Sequence, residues 1–227
     1  TAVDQAELES KLAFRINSES PKILAEEAEK LNIPLIHYST DYVFDGKKSA
    51  PYTISDTPNP INVYGESKLL GENSIQNTLE KFLIIRTSWI YSHRRKNFLN
   101  TMLKLFKEHD EVQVVDDQFG TPTLARLLSE TTLIMILSLM NNKNSNWGLY
   151  HYSHGGKTTW CGFAKQILKL TEGKYKVSIL PTKSIDYSAK AKRPRMSLLD
   201  NKCLNENFNN RWINWKDALN LIQKANA

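Results

Sequence analysis

The stretch Lys81 to Tyr91 (KFLIIRTSWIY) is apolar at most positions, β-branched and aromatic. A strand with one wet face alternates apolar and polar residues, whereas a near-continuous run must be covered on both faces. Such a strand belongs in a parallel sheet with helices above and below. The rest of the chain offers the pieces. Glu7 to Ile16 and Pro21 to Leu31 read as helices, the second opened by Ser20 as N-cap with Pro21 at its first position. Pro34 to Phe44 (PLIHYSTDYVF) and Trp147 to Ser153 read as strands, with Glu111 to Val115 and Lys176 to Leu180 as shorter ones. Helical patterns cover Asn62 to Leu79, Phe98 to Lys107, Thr123 to Met140, Thr158 to Leu170 and Trp215 to Lys224, while Thr182 to Asn210 reads as mostly irregular. This alternation predicts an α/β fold with a smaller α+β lobe at the C-terminal end.

Composition narrows the function. The 227 residues suffice for a sizeable core. Two cysteines, Cys161 and Cys203, are too few for a disulfide scaffold, so a cytoplasmic location is expected. The apolar run Thr132 to Met140 is far short of a membrane span, and Thr1 to Ser20 is too polar and acidic for a signal peptide. The net charge of +6 is unevenly placed. Residues 1–150 carry 16 Lys+Arg against 19 Asp+Glu, and residues 151–227 carry 14 against 5. The excess is densest at Lys190, Lys192, Arg193 and Arg195. With no nucleic-acid-binding signature beside it, this patch suits a phosphate-bearing small ligand better than a nucleic acid.

The chemical signal lies in Tyr64-Gly-Glu-Ser-Lys68 and the upstream Ser39-Thr40-Asp41. Residues four apart share a helical face, so Lys68 is expected beside Tyr64. A cation there would stabilise phenolate and lower a pKa that is ordinarily near 10, as a catalytic Tyr requires. A hydroxyl at the carboxyl end of a strand faces the region where open α/β sheets bind ligands. By itself the Tyr-Lys pair is weak, since such pairs fall by chance on many amphipathic helices. Thr40 could equally reflect strand propensity, and Asp41 a turn. Hydroxyl, Tyr and Lys in this order resemble a short-chain dehydrogenase/reductase.

The resemblance sharpens over the whole chain. TAVDQAE at 1–7, HYSTDYVFDG at 37–46, PNPINVYGESKLLGE at 58–72, RTSWIY at 86–91, NFLNTMLKL at 97–105, VVDDQFGTPT at 114–123 and RPRMSLLD at 193–200 are similar to the dTDP-4-dehydrorhamnose reductases. That resemblance implies a Rossmann-like doubly wound parallel sheet. Residues 1–150 would be the remainder of an NAD(P)-binding domain, and residues 151–227 mainly a nucleotide-sugar lobe. It implies hydride transfer from NADPH or NADH to the C4 ketone of dTDP-4-dehydro-L-rhamnose. Tyr64 would be the proton donor, Thr40 would hydrogen-bond the carbonyl, and Lys68 would hold the nicotinamide ribose. Ser39 and Tyr64 would also meet the cofactor. Asp41, Trp89, Asn97, Arg193 and Arg195 would meet the substrate, although Asn97 could instead cap a helix, Trp89 could be a core residue, and the arginines could belong to a solvated loop. The resemblance also allows a homodimer and Mg²⁺.

Two rivals stand beside it: a non-catalytic regulatory subunit like the methionine adenosyltransferase β subunit, and a nucleotide-sugar epimerase or dehydratase. A Gly-rich turn before a helix, the usual pyrophosphate cradle, is absent. TAVDQAE in the family follows a strand in mid-domain. The opening cofactor strands are therefore expected to be missing, and the 227-residue segment alone is expected to be inactive.

Overall fold

A computed structural model describes residues 2–141, 146–210 and 213–224. Its helices are α1 Val3–Leu8, α2 Ser10–Phe14, α3 Ser20–Lys30, α4 Val63–Thr78, α5 Phe98–Glu108, α6 Ala125–Asn141, α7 Trp160–Leu170, α8 Lys202–Phe208 and α9 Trp215–Lys224. Its strands are β1 Leu35–Thr40, β2 Phe82–Thr87, β3 Ile90–Tyr91, β4 Glu111–Val115, β5 Phe119–Gly120, β6 Thr123–Leu124, β7 Gly148–His151, β8 Thr158–Thr159 and β9 Ser178–Thr182.

The strand expected to need cover on both faces is the centre of a three-stranded parallel sheet, ordered β1-β2-β7. Its side chains divide between two cores, as a period-two strand requires. Ile84 packs on one face with Ala25 and Ala28 of α3, Ile75 of α4 and Leu79 at the end of α4. Leu83 and Ile85 pack on the other with Leu128, Met135 and Leu139 of α6 and Leu204 and Phe208 of α8. Helices on both faces of a parallel sheet make the expected α/β architecture.

A third core joins Tyr91, Leu99, Met102, Phe106, Val112 and Leu124 to Phe163, Trp215 and Leu219. Here β4 pairs in parallel with β9, from Glu111 opposite Ser178 to Val115 opposite Thr182. The packing therefore crosses the expected division at residue 150 in both directions. Residues 91–124 join the C-terminal lobe, while α8 returns to the sheet. The reason is the parallel β4–β9 pair, which takes its two strands from either side of α6 and α7.

Local departures from the sequence expectations have clear causes. Ser20 is not an N-cap, because the chain is already helical through a π turn at Arg15–Glu19, and its hydroxyl donates to the Arg15 carbonyl at 2.9 Å. The strand from Pro34 stops at Thr40, whose side chain caps a 3₁₀ turn, Asp41–Val43. The reading also missed β5, β6, β8 and α8. Helix α4 is set closely against its neighbours by two glycines. A Cβ on Gly65 would stand 2.1 Å from the Tyr42 carbonyl oxygen, and one on Gly71 would stand 2.1 Å from that of Asn17. Asn62 caps the helix, accepting from Gly65 N–H at 2.8 Å, and donates to the Lys192 carbonyl at 2.8 Å.

Candidate active site

The first turn of α4 carries Tyr64 against the carboxyl end of β1, where Thr40 and Asp41 lie. Thr40 Oγ1 accepts from Tyr42 N–H at 3.1 Å and donates to Asp41 Oδ1 at 3.2 Å. The Tyr64 ring packs edge-on to Tyr42, the residue whose N–H bonds Thr40, with centroids 6.0 Å apart. Burial pushes the phenol up to about 12; the Thr40 hydroxyl opposes that shift, and the Asp41 charge adds to it. The lowering expected from Lys68 is not found.

The cause is where Lys68 points. It is buried, and its ammonium donates to the Tyr38 carbonyl at 2.7 Å and to His37 Nε2 at 2.9 Å. Burial pulls Lys68 down to about 8, against the pull of Glu72 one turn along α4. Burial and the ammonium push His37 down to about 4, so its ring is a neutral acceptor at pH 7. The sequence places His37 inside the strand Pro34 to Phe44 and points to no partner for it. Its register two residues before Ser39 was the available signal.

Asp41 is 2 % exposed. Burial raises its carboxyl to about 7, opposed by the Ser197 and Thr40 hydroxyls and its own backbone N–H. Ser39 is buried too, and its Oγ has no hydrogen-bond partner. Tyr64 lines a small cleft with Gln5, Ala6 and Asn17.

A larger cavity of about 790 Å³ lies between α5, β4, the start of α7 and the segment 184–193. Phe98, Gln118, Trp160, Tyr187, Lys190 and Arg193 help line it. Arg193 stands near Tyr42, whose ring packs on Tyr64, so the cavity adjoins the Tyr64 site. Its strongest partner, however, is Asp4 of α1, at 2.7 Å from Nη2 to Oδ2. Asp4 Oδ1 further accepts from the backbone N–H groups of Lys190 and Ala191, both at 3.0 Å. Arg193 thus fastens the cavity wall instead of holding its guanidinium free for a diphosphate.

Other expected substrate contacts lie farther out. Arg195 is exposed and is not among the cavity-lining residues. The Asn97 amide is spent on structure: Oδ1 caps α5 by accepting from Asn100 N–H at 3.2 Å, and Nδ2 donates to the Ser92, Arg94 and Arg95 carbonyls. Trp89 adopts φ 45° and stacks at 3.6 Å on Trp160, and it is Trp160 that lines the cavity. Gly120 leaves room for the Trp89 indole, because a Cβ there would come within 2.5 Å of it. Sequence reasoning missed Trp160, Asp4 and Tyr42. Among the described residues no group of three His, Cys, Asp or Glu could hold a metal ion, so Mg²⁺ has no ligand set there. No described helix is long and apolar enough to cross a membrane.

Comparison with known proteins accords with this arrangement. The family described as RmlD substrate binding domain matches residues 1–226. The dTDP-4-dehydrorhamnose reductase of Burkholderia thailandensis is 39% identical over 230 residues, covering 97% of this chain and 77% of the relative. The crystal structure of a dTDP-4-dehydrorhamnose reductase from Clostridium acetobutylicum superposes with a TM-score of 0.92 at 37% identity, covering 99% of this chain and 77% of that one. That of the Bacillus anthracis dTDP-4-dehydrorhamnose reductase, in complex with NADP, gives 0.90 at 36% identity, with the same coverage. The fold and these likenesses converge: the chain belongs to the dTDP-4-dehydrorhamnose reductase family.

Proposed function

We propose that this chain carries the residues that reduce the C4 ketone of dTDP-4-dehydro-L-rhamnose, giving dTDP-L-rhamnose for cell-surface polysaccharide synthesis. The observation that carries the reading is Tyr64 packed on Tyr42 at the end of β1 beside Thr40, next to a cavity with a cationic rim. The names of the relatives support the same reaction.

The residues present suit a nicotinamide cofactor. The buried Ser39 hydroxyl lacks a partner, and Lys68 uses two of its three ammonium donors on protein atoms, leaving one for a ribose hydroxyl. Ser39, Tyr64 and Lys68 would hold the nicotinamide half of NADPH or NADH, which supplies the hydride when bound. Thr40 orients the ketone by hydrogen bonding to its oxygen. Tyr64 delivers a proton to that oxygen as negative charge develops, and its high pKa keeps the proton in place until then. Trp160 presents an apolar face to the substrate cavity, suited to a 6-deoxy sugar or a thymine ring.

The test is NADPH oxidation by the intact protein, made dependent on the 4-keto sugar nucleotide, with the product identified by NMR and NADH compared in parallel. Absence of ketone reduction, together with stable capture of an adenosyltransferase, would favour the regulatory-subunit reading instead.

A further inference from the structure

The direction of the Lys68 ammonium is set by the strand in front of it and not by its own helix. Glu72, one turn along α4, is the carboxylate whose charge Lys68 feels, and a lysine four residues from a glutamate ordinarily pairs with it. Here Glu72 is taken by Arg86 of β2, at 2.6 Å from Oε2 to Nη2. The buried ammonium turns to β1 instead, donating to the Tyr38 carbonyl at 2.7 Å and to His37 Nε2 at 2.9 Å. Alternation along β1 puts Leu35, His37 and Ser39 on the α4 side of the sheet. Leu35 packs there with Ile84 and Ile75, while Ile36 joins the opposite core. Tyr38 is tied down from that opposite face, its hydroxyl donating to Thr132 Oγ1 at 2.9 Å. The Tyr38 carbonyl and the His37 ring are thus fixed acceptors, and both are neutral, since burial and the ammonium hold His37 well below pH 7. Neutral acceptors aim an ammonium without cancelling its charge. Two residues on, along the same face of β1, lies the buried Ser39 hydroxyl that has no partner.

On the reductase reading above, we infer that His37 is a positioning residue, whose Nε2 aims the Lys68 ammonium at the nicotinamide ribose and thereby sets cofactor affinity rather than proton transfer. A ring nitrogen suits the task. With Nδ1 carrying the hydrogen, Nε2 offers one lone pair on a stiff side chain, and the ammonium keeps its third N–H for a ribose hydroxyl. Without that acceptor the ammonium is drawn back along α4 toward Glu72, away from the end of β1 where Ser39 lies. Such a swing also sets Lys68 in competition with Arg86 for one carboxylate.

Fluorescence titration of the intact protein with NADPH reads this without turnover. His37→Leu, which fills a similar volume and removes the acceptor, should weaken NADPH binding about 10-fold. His37→Gln, whose amide oxygen reaches the place of Nε2, should stay within about twofold of wild type. In the rate assay the Leu variant should raise KM for NADPH and leave kcat little changed. Undiminished affinity in His37→Leu overturns the inference, and so does a fall in kcat at unchanged KM. Equal losses in the Leu and Gln variants, with matching drops in melting temperature, would reduce His37 to a packing residue and overturn it as well. Nitrogen NMR of wild-type protein labelled at histidine serves should the variants fail to fold. At pH 7 the His37 ring should carry its hydrogen on Nδ1, with Nε2 accepting; a hydrogen on Nε2 overturns the inference. A protein that shows this binding pattern but reduces no 4-keto sugar would fail on function alone and leave His37 in its role.

Discussion

Arg86 Nη2 lies 2.6 Å from Glu72 Oε2, with both side chains almost entirely withdrawn from water. Arg86 Nε also reaches both Glu72 oxygens, at 3.0 and 3.1 Å, so the pair is a fork joining the central strand β2 to α4. The guanidinium sits 5.2 Å from the Phe44 ring centroid. Because Glu72 lies two turns after Tyr64 on the same helix, this pair fixes where the phenol stands.

Removing one partner leaves the other charge buried and unpaired. Glu72→Ala should therefore destabilise the fold by about 3–5 kcal/mol, read from urea denaturation. The double change Glu72→Leu with Arg86→Met should recover most of that loss. Equal instability of single and double variants would show that packing, not the charge, is at stake.

Tyr64→Phe keeps the ring packed against Tyr42 and deletes the proton. NADPH oxidation with the 4-keto sugar should fall by about 10²–10⁴. A variant keeping more than a third of wild-type turnover would remove Tyr64 from the chemistry.

Asp4 and Arg193 make a different kind of pair, since the Asp4 side chain is 46% exposed. Such a pair contributes about 1 kcal/mol or less to stability. Its effect should appear in the cavity wall: Asp4→Asn and Arg193→Ala should each weaken dTDP binding several-fold by calorimetry, and the double variant should be little worse than either. Arg195→Ala should leave the dissociation constant unchanged. A large loss at Arg195 with none at Asp4 would restore the exposed arginine as the diphosphate ligand.

His154 Nε2 accepts from Leu124 N–H at 3.0 Å inside the C-terminal lobe, and burial pulls its pKa down to about 4. A depressed folded pKa means the neutral ring is favoured by folding. Its stabilising contribution is complete above the ordinary value near 6.5 and is lost as pH falls toward 4. The loss reaches about 3 kcal/mol at the lower end. His37 and His151 shift in the same direction. His154→Gln, whose amide oxygen can accept the same N–H, should therefore flatten only part of the acid-induced drop in melting temperature. A melting curve equally acid-sensitive in this variant would exclude His154 as a contributor.

Local pattern was enough for the sheet, because the demand of Lys81 to Tyr91 for two covers is written in consecutive residues. The spacing of Tyr64 and Lys68 likewise placed both on one helical face. The destination of the Lys68 ammonium was not legible, since it depends on Tyr38 and His37 of β1 rather than on the helix. Helix α8 was hidden because its polar sequence shows only Leu204 and Phe208 as core residues. The swap of roles between Trp89 and Trp160 is set by stacking across the β5–β8 region, which neither local sequence announces. The resemblance supplied the rest, but it could not show Arg193 spent on Asp4.

The Asp4–Arg193 bond spans 189 positions, nearly the whole chain. Closing a loop of that size costs entropy that rises only slowly with length, but contacts so distant form late on the way to the native state. The sheet and the Tyr64 helix can assemble from nearer neighbours, whereas the wall of the larger cavity exists only once the segment around Arg193 has come home to α1. A refolding chain should consequently complete its sheet before its cavity wall. Nucleotide added during renaturation should trap finished molecules without hastening the steps that precede them.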